Sequence, residues 1–198
     1  MSTPVGGGRR GRLILVVGPS GAGKDSLISR CKAQLAGDAA VTFPRRVITR
    51  TDGDDSEVHE AVDEAQFAAR LARGDFALHW RAHGLSYGLP STIADDLAAG
   101  RTVIANVSRA VIAEARDRYP PVTVVAVTAP PAVLAERLKR RNREEAGDIA
   151  GRLARAAAYS VDGPDVVTLD NSGSLDAGVA ALLEIIRGGR DSVTRRPD

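Results

Sequence analysis

Residues 12–26 read RLILVVGPSGAGKDS. The apolar run at 13–17 is the pattern of a short buried strand. Gly18 and Gly23 then bracket a turn, and Lys24 follows. Glycines at those places let the backbone wrap an anion with its N–H groups pointing inward. A helix starting near Lys24 adds the positive end of its dipole. The lysine has the reach for the β and γ phosphates of a nucleoside triphosphate. The stretch is a Walker A loop in all but one position. Asp25 stands where Ser or Thr normally follows the lysine, and Ser26 comes one place too late. Strand, loop and lysine in this order predict that Gly18, Pro19, Ser20, Gly21, Ala22, Gly23, Lys24, Asp25 and Ser26 form an ATP-binding segment.

Outward from this loop, strands and helices alternate. Apolar runs at 102–107, 122–127 and 166–169 read as buried strands. Helical patterns fall at 24–36, 63–73, 91–98, 108–119, from Pro130–Pro131 onward, and at 175–187. Asp63 is an N-cap candidate, Ser108 another, and Gly37 and Gly74 are stops. Near-continuous apolar strands between helices imply a three-layer α/β P-loop NTPase fold with a mainly parallel sheet. Ligands then belong beyond the carboxyl ends of the strands. Residues 43–90 break the rhythm. Phe76, Leu78 and Trp80 alternate as in a strand, and Gly84 to Leu89 reads as a hairpin or turn. The expected organisation is a flexible start at 1–11, one kinase domain over 12–190, and a loose tail at 191–198. Within the domain, 43–90 is a substrate-binding lobe and 137–157 a lid.

Length and composition restrict the options. A chain of 198 residues is one domain with room for a good core. Its apolar runs are far too short to span a bilayer, and the start lacks the apolar stretch of a secretory signal, so no membrane partner and a cytoplasmic setting are expected. The lone Cys31 fits a reducing compartment and reads as a buried, inert thiol. The net charge is only +2, and aromatics make up 4%. That leaves few stacking platforms, and no zinc-ligand spacing or helix-turn-helix signal is present, so no nucleic-acid partner is expected. Arginines cluster at 137–143, and their planar forks suit small phosphorylated ligands.

Further segments then fall into place in order. The chain resembles the guanylate kinase superfamily of P-loop phosphotransferases. GPSGAGKDS at 18–26 is similar to its phosphate loop, and TR at 49–50 to the start of its nucleotide-monophosphate grip. HGLSYG at 83–88 resembles its HGNYYG segment. TAPPAVLAERLKRRNRE at 128–144 resembles its lid entry, and IAGRLARA at 149–156 the helix returning from the lid. Several guanine-kinase positions differ. Leu78 falls where the family's Glu accepts hydrogen bonds from guanine. The second arginine of the phosphate grip has no match, since 53–57 is acidic. The strand-end carboxylates fall on Asn106 and Ser108. Without its polar partner a base site loses discrimination. The altered set, with VITR, ANVSR and DNSG at 170–173, resembles the branch that phosphorylates α-D-ribose 1,5-bisphosphate with ATP, giving 5-phosphoribosyl 1-diphosphate. The residues alone stop at a P-loop kinase of a small phosphorylated acceptor. A nucleoside-monophosphate kinase and a catalytically inactive binding module of the same fold stay open.

The resemblance implies roles. Lys24 offsets charge on the transferring phosphoryl group. Arg137, Arg141 and Arg152 are lid or return-helix arginines that close on phosphoryl oxygens, with Arg137 also packing against adenine. Asn171 lies on the adenine-side loop. Arg50 is the first acceptor-phosphate ligand, helped by Arg46. Tyr87 donates a hydroxyl. Asn106, Ser108, Arg109 and Glu57 read sugar hydroxyls or a phosphate. Mg²⁺ accompanies ATP and needs oxygen ligands, and Asp25 is the candidate metal ligand, directly or through water. An Asp in a first helical turn is also favoured by the helix field alone. His79 and His83 read as packing or hydrogen-bonding residues. A homodimer is a family-level expectation.

Overall fold

The computed structural model of the chain describes residues 10–50, 59–140 and 160–188. Nine strands and six α-helices are found among them. They are β1 (Arg12–Val17), α1 (Lys24–Gln34), β2 (Val41–Thr42), β3 (Val47–Ile48), β4 (Glu60–Ala61), α2 (Glu64–Ala72), β5 (Phe76–Ala82) and β6 (Leu85–Pro90). There follow α3 (Ile93–Ala98), β7 (Thr102–Asn106), α4 (Ile112–Arg118), β8 (Val122–Thr128), α5 (Pro131–Arg140), β9 (Val166–Asp170) and α6 (Leu175–Arg187). One sheet has the order β2-β7-β1-β8-β9, and β2–β7 and β8–β9 run parallel. A second sheet has the order β4-β3-β6-β5, with β3–β6 and β5–β6 antiparallel. The chain divides into two compact units, the first of residues 1–14 and 37–122, the second of 15–36 and 123–198.

In the second unit, residues Leu15 to Val17 of β1 and Val124, Val125 and Val127 of β8 are fully buried. Strands enclosed on both faces lose the polar alternation of a half-exposed strand. Pro131 sits at the first position of α5, where its missing N–H costs nothing. Ser174 caps α6 by accepting from the Ala177 N–H at 3.2 Å. Helices α1 and α6 pack together through Leu27 and Cys31 on one and Val179, Leu182 and Leu183 among the buried residues of the other.

Cys31 is fully enclosed there, its thiol donating to the Val179 carbonyl at 3.8 Å. Burial pushes the thiol from its ordinary 9.0 up to about 11, and the Arg187 guanidinium pulls it the other way to a lesser degree. Above about pH 9 the unfolded chain ionises this group while the folded chain keeps the proton, so stability falls as pH rises toward 11. The loss amounts to something on the order of 2 kcal/mol at pH 11. Cys31→Ala should flatten that part of the curve. Urea midpoints of both proteins at pH 8, 9.5 and 11 check this, and parallel curves would rule it out.

The first unit contains the second sheet. Asp63 and Gln66 build a complete capping box at the start of α2: the Asp63 carboxylate accepts from the Gln66 N–H at 2.7 Å, and the Gln66 side chain accepts in return at 3.1 Å. Phe67 of α2 stacks on Phe76 of β5 at 4.6 Å between ring centroids, and with Val47 and Val62 they form the local core. β5 bulges between Phe76 and Leu78, so the alternation slips there. The Ala77 carbonyl at the bulge accepts from Arg118 at 2.7 Å.

Several boundaries differ from the sequence expectation. Of the hairpin or turn expected at 84–89 the structure has the hairpin, with 85–90 as its second strand. Only His83 and Gly84 turn the chain, with φ of 51° and 74°, the doubly positive pattern of a two-residue type I′ hairpin. The helix expected at 108–119 opens as a 3-10 turn, Arg109–Val111, capped by the Ser108 hydroxyl on the Ala110 N–H at 3.3 Å. Helix α1 ends at Gln34, with Leu35 as C-cap. Strands β2 and β4 are two residues each, too short to leave a periodic signal.

Candidate active site

The phosphate loop is built by the second unit alone. β1 delivers the chain to Gly18 beside β8. A Cβ on Gly18 would stand 2.4 Å from the Val127 carbonyl oxygen, so no side chain fits. The Ala22 N–H closes a turn on the Pro19 carbonyl at 3.2 Å. Gly23 then takes the left-handed conformation, φ 87°, and serves as N-cap of α1 without any side-chain cap. The helix N-terminus of α1 thus starts at the loop, with its positive dipole end toward the turn. The Lys24 ammonium lies back across the loop, donating to the Gly18 carbonyl at 2.7 Å and the Pro19 carbonyl at 3.0 Å. Asp25 occupies the first turn of α1, half-buried, and Ser26 is exposed.

Two further residues of this unit meet the loop. Arg137 on α5 donates from Nη2 to the Asn171 carbonyl at 2.8 Å. Its Nη1 is buried with no hydrogen-bond partner among the described residues, 3.7 Å from where a Cβ on Gly23 would lie. Asn171 itself is 3% exposed, and its amide Nδ2 donates to the Ala22 carbonyl at 2.7 Å. Its side chain thus meets the loop through Nδ2, while its Oδ1 is buried with no hydrogen-bond partner among the described residues. Arg141 and Arg152, the other two lid arginines, lie outside the described residues, as does Glu57.

In the first unit a second group forms. Arg46 donates to the Asn106 carbonyl, at the carboxyl end of β7, at 3.2 Å. Its guanidinium also lies over the Tyr87 ring, 5.6 Å from the centroid. Trp80 stacks on the other partner of that pair, with ring centroids 5.4 Å apart and planes 3° from parallel. Sequence reading overlooked Trp80, yet the turn at His83–Gly84 pairs Trp80 with Tyr87 directly. Close by in the sheet, the Thr49 hydroxyl accepts from the Ser86 N–H at 2.8 Å and fixes β3 against β6. The half-buried Arg50 follows. Asn106 is buried, Ser108 is half-buried and engaged as a cap, and Arg109 is exposed.

Leu78 is fully buried opposite Leu89, so the position expected to face a nucleobase offers only apolar core. His79 and His83 are exposed. No group of three acidic, His or Cys side chains able to hold a metal occurs among the described residues.

Strand order and phosphate loop together define a P-loop NTPase fold. A solved guanylate kinase from Anaplasma phagocytophilum superposes with a TM-score of 0.67 over 93% of this chain and 88% of that one, at 15% identity, a likeness that speaks for the fold alone. No model of a protein family matches the chain. Its sequence is 52% identical over 183 residues to ribose 1,5-bisphosphate phosphokinase PhnN of Acidiphilium cryptum, covering 92% of this chain and 96% of that protein. It is 51% identical over 180 residues to the protein of the same name from Rhodopseudomonas palustris, covering 91% and 90%. The chain belongs to the ribose 1,5-bisphosphate phosphokinase family.

Proposed function

We propose that this protein transfers the γ-phosphoryl group of ATP to the 1-phosphate of α-D-ribose 1,5-bisphosphate, yielding 5-phosphoribosyl 1-diphosphate and ADP. One observation carries the reading: about half of the aligned residues are identical to such phosphokinases across nine-tenths of the chain.

An oxygen of the 1-phosphate forms the new bond to the γ-phosphorus, and the bond from that phosphorus to the β-bridging oxygen breaks toward ADP. The attacking oxygen is already anionic near neutral pH, because a phosphate monoester has its second pKa near about 6. No strong base is required, and none stands among Arg46, Arg50, Tyr87, Asn106, Ser108 and Arg109, the described residues proposed for the acceptor. Positioning and charge neutralisation supply the rate. Lys24 exchanges the carbonyls of Gly18 and Pro19 for phosphoryl oxygens, trading two neutral acceptors for charged ones. The buried Nη1 of Arg137 adds a second cation beside Gly23. Arg50 grips an acceptor phosphate, helped by Arg46 and Tyr87, and Arg141 and Arg152 are the further cations assigned to the phosphoryl oxygens.

Mg²⁺ would neutralise phosphate charge and orient the oxygens. The donor set fits it. Mg²⁺ keeps several waters and uses one or two carboxylates plus substrate phosphates, not a dedicated protein cage. Asp25, next to Lys24, is the carboxylate proposed to hold it. Asp25→Ala should raise the Mg²⁺ concentration for half-maximal rate several-fold, and an unchanged Mg²⁺ titration would remove Asp25 from this role.

The function itself is tested by offering Mg-ATP with ribose 1,5-bisphosphate, ribose 5-phosphate, GMP and AMP in separate reactions. ADP release is expected with the bisphosphate. Comparable turnover of GMP would instead make this a nucleoside-monophosphate kinase.

A further inference from the structure

Asn171 occupies an unusual place for a residue at the end of a strand. It follows β9 directly, and four elements of the second unit converge on it. Its backbone N–H donates to the Thr128 carbonyl at the end of β8, at 2.8 Å. Its backbone carbonyl accepts from Arg137 of α5 at 2.8 Å. Its side-chain amide donates to the Ala22 carbonyl in the phosphate loop at 2.7 Å. The fourth element is α6, through a lack of space. A Cβ on Gly178 would stand 2.5 Å from the Asn171 Oδ1, and a Cβ on Gly23 would stand 2.6 Å from its Nδ2. The amide is thus wedged between two glycines, one in the loop and one in the helix, and is 3% exposed.

We infer that Asn171 is a positioning residue which holds the phosphate loop in its anion-binding shape and makes no contact with the nucleotide base. The physical reasons are direct. Ala22 and Gly23 are the last residues before the helix that presents its N–H groups to phosphate. The Ala22 carbonyl must point away from the anion for those groups to face it. A carbonyl turned outward and buried needs a donor, and the Asn171 Nδ2 is that donor. The wedge also explains both glycines: each one leaves the room that the amide fills. Ser at 171 would reach less far, and Asp, with the same reach, would set a carboxylate against the Ala22 carbonyl.

The inference rests on the reading of residues 18–24 as the polyphosphate site, and the test separates the two. Binding of ADP and of inorganic pyrophosphate is measured calorimetrically for the wild-type chain, Asn171→Ala and Gly178→Ala. A positioning role predicts that both variants weaken both ligands by the same factor, about ten- to a hundredfold, since pyrophosphate has no base to lose. The KM for ribose 1,5-bisphosphate should stay unchanged. Gly178→Ala costs no helix propensity in α6, but its Cβ would press on Leu27 Cδ2 of α1 at 2.8 Å as well as on the Asn171 Oδ1, so it supports the result and Asn171→Ala decides it. Weakening of ADP alone would mean a base contact and overturn the inference. Wild-type affinities in both variants would also overturn it, leaving the phosphate-loop reading intact. Failure of the wild-type chain to bind either ligand would bring down that reading and the inference with it. If Asn171→Ala does not fold, the wild-type side-chain amide is followed by NMR. Slow hydrogen exchange, unaltered by pyrophosphate, is expected, and fast exchange would refute the bridge to Ala22.

Discussion

Lys24→Ala should abolish most phosphoryl transfer while leaving the fold standing. The ammonium is the charge closest to the loop, bonded to the carbonyls of Gly18 and Pro19. In the proposed reaction it meets charge that develops as the γ-phosphoryl group moves. Removing one preorganised group of this kind costs about 10²–10³ in kcat. The fold should survive because the lysine is half-buried and its two carbonyls can accept from water once the side chain is gone. The Tm should therefore stay within a few degrees of the wild-type value. Lys24→Arg should not rescue the rate, since a planar fork cannot replace a compact ammonium within a closed loop. Steady-state kinetics and a thermal melt of each variant check this. Retention of a tenth or more of the wild-type kcat in Lys24→Ala would remove the lysine from its role.

The second large effect is expected at Arg50. Its side chain follows the Thr49–Ser86 bond that locks β3 to β6. It makes no hydrogen bond or ion pair among the described residues, and it stays half-buried. Such a guanidinium is well suited to a phosphate that remains bound through the whole reaction. Contacts to a non-reacting phosphate are the same in ground and transition states, so their loss raises KM and spares kcat. A charge-assisted hydrogen bond contributes about 1.5–3 kcal/mol, which corresponds to a rise in KM of about ten- to a hundredfold. The KM for ATP should not move. An Arg50→Ala protein whose loss lies in kcat alone would place this arginine at the transferring group instead.

How far the sequence could be read follows from the range of the forces involved. The phosphate loop was legible because its chemistry is local. Strand, glycines, lysine and helix start are consecutive, and each constrains the next. The Asp63 cap is likewise short-range and was read from the sequence, while the return bond from Gln66 and the Ser174 cap came only with the structure. The hairpin was half legible. HGLSYG suggested a hairpin or turn; one doubly positive pair at His83–Gly84 makes the turn, and the rest extends as strand. Once that turn is known, pairing of Trp80 with Tyr87 follows. Asn171 was placed on the adenine side by analogy, because nothing in DNSG announces that its amide reaches a carbonyl 149 residues earlier in the chain. Gly178 carried no signal for the same reason: its need for emptiness is set by a side chain from another element. The bulge in β5 also has no local mark, and it buries Leu78 where alternation is interrupted.

The central claim is that phosphate, and no hydroxyl, receives the phosphoryl group, with the loop at Gly18–Lys24 holding the donor. It is tested most directly by ³¹P NMR of ribose 1,5-bisphosphate turning over with Mg-ATP. The account predicts that the 1-phosphate resonance is replaced by two mutually coupled diphosphate signals as ADP appears, with the 5-phosphate untouched. A new monoester signal from a ring hydroxyl, or ADP formed with free phosphate and an unaltered sugar, would contradict it.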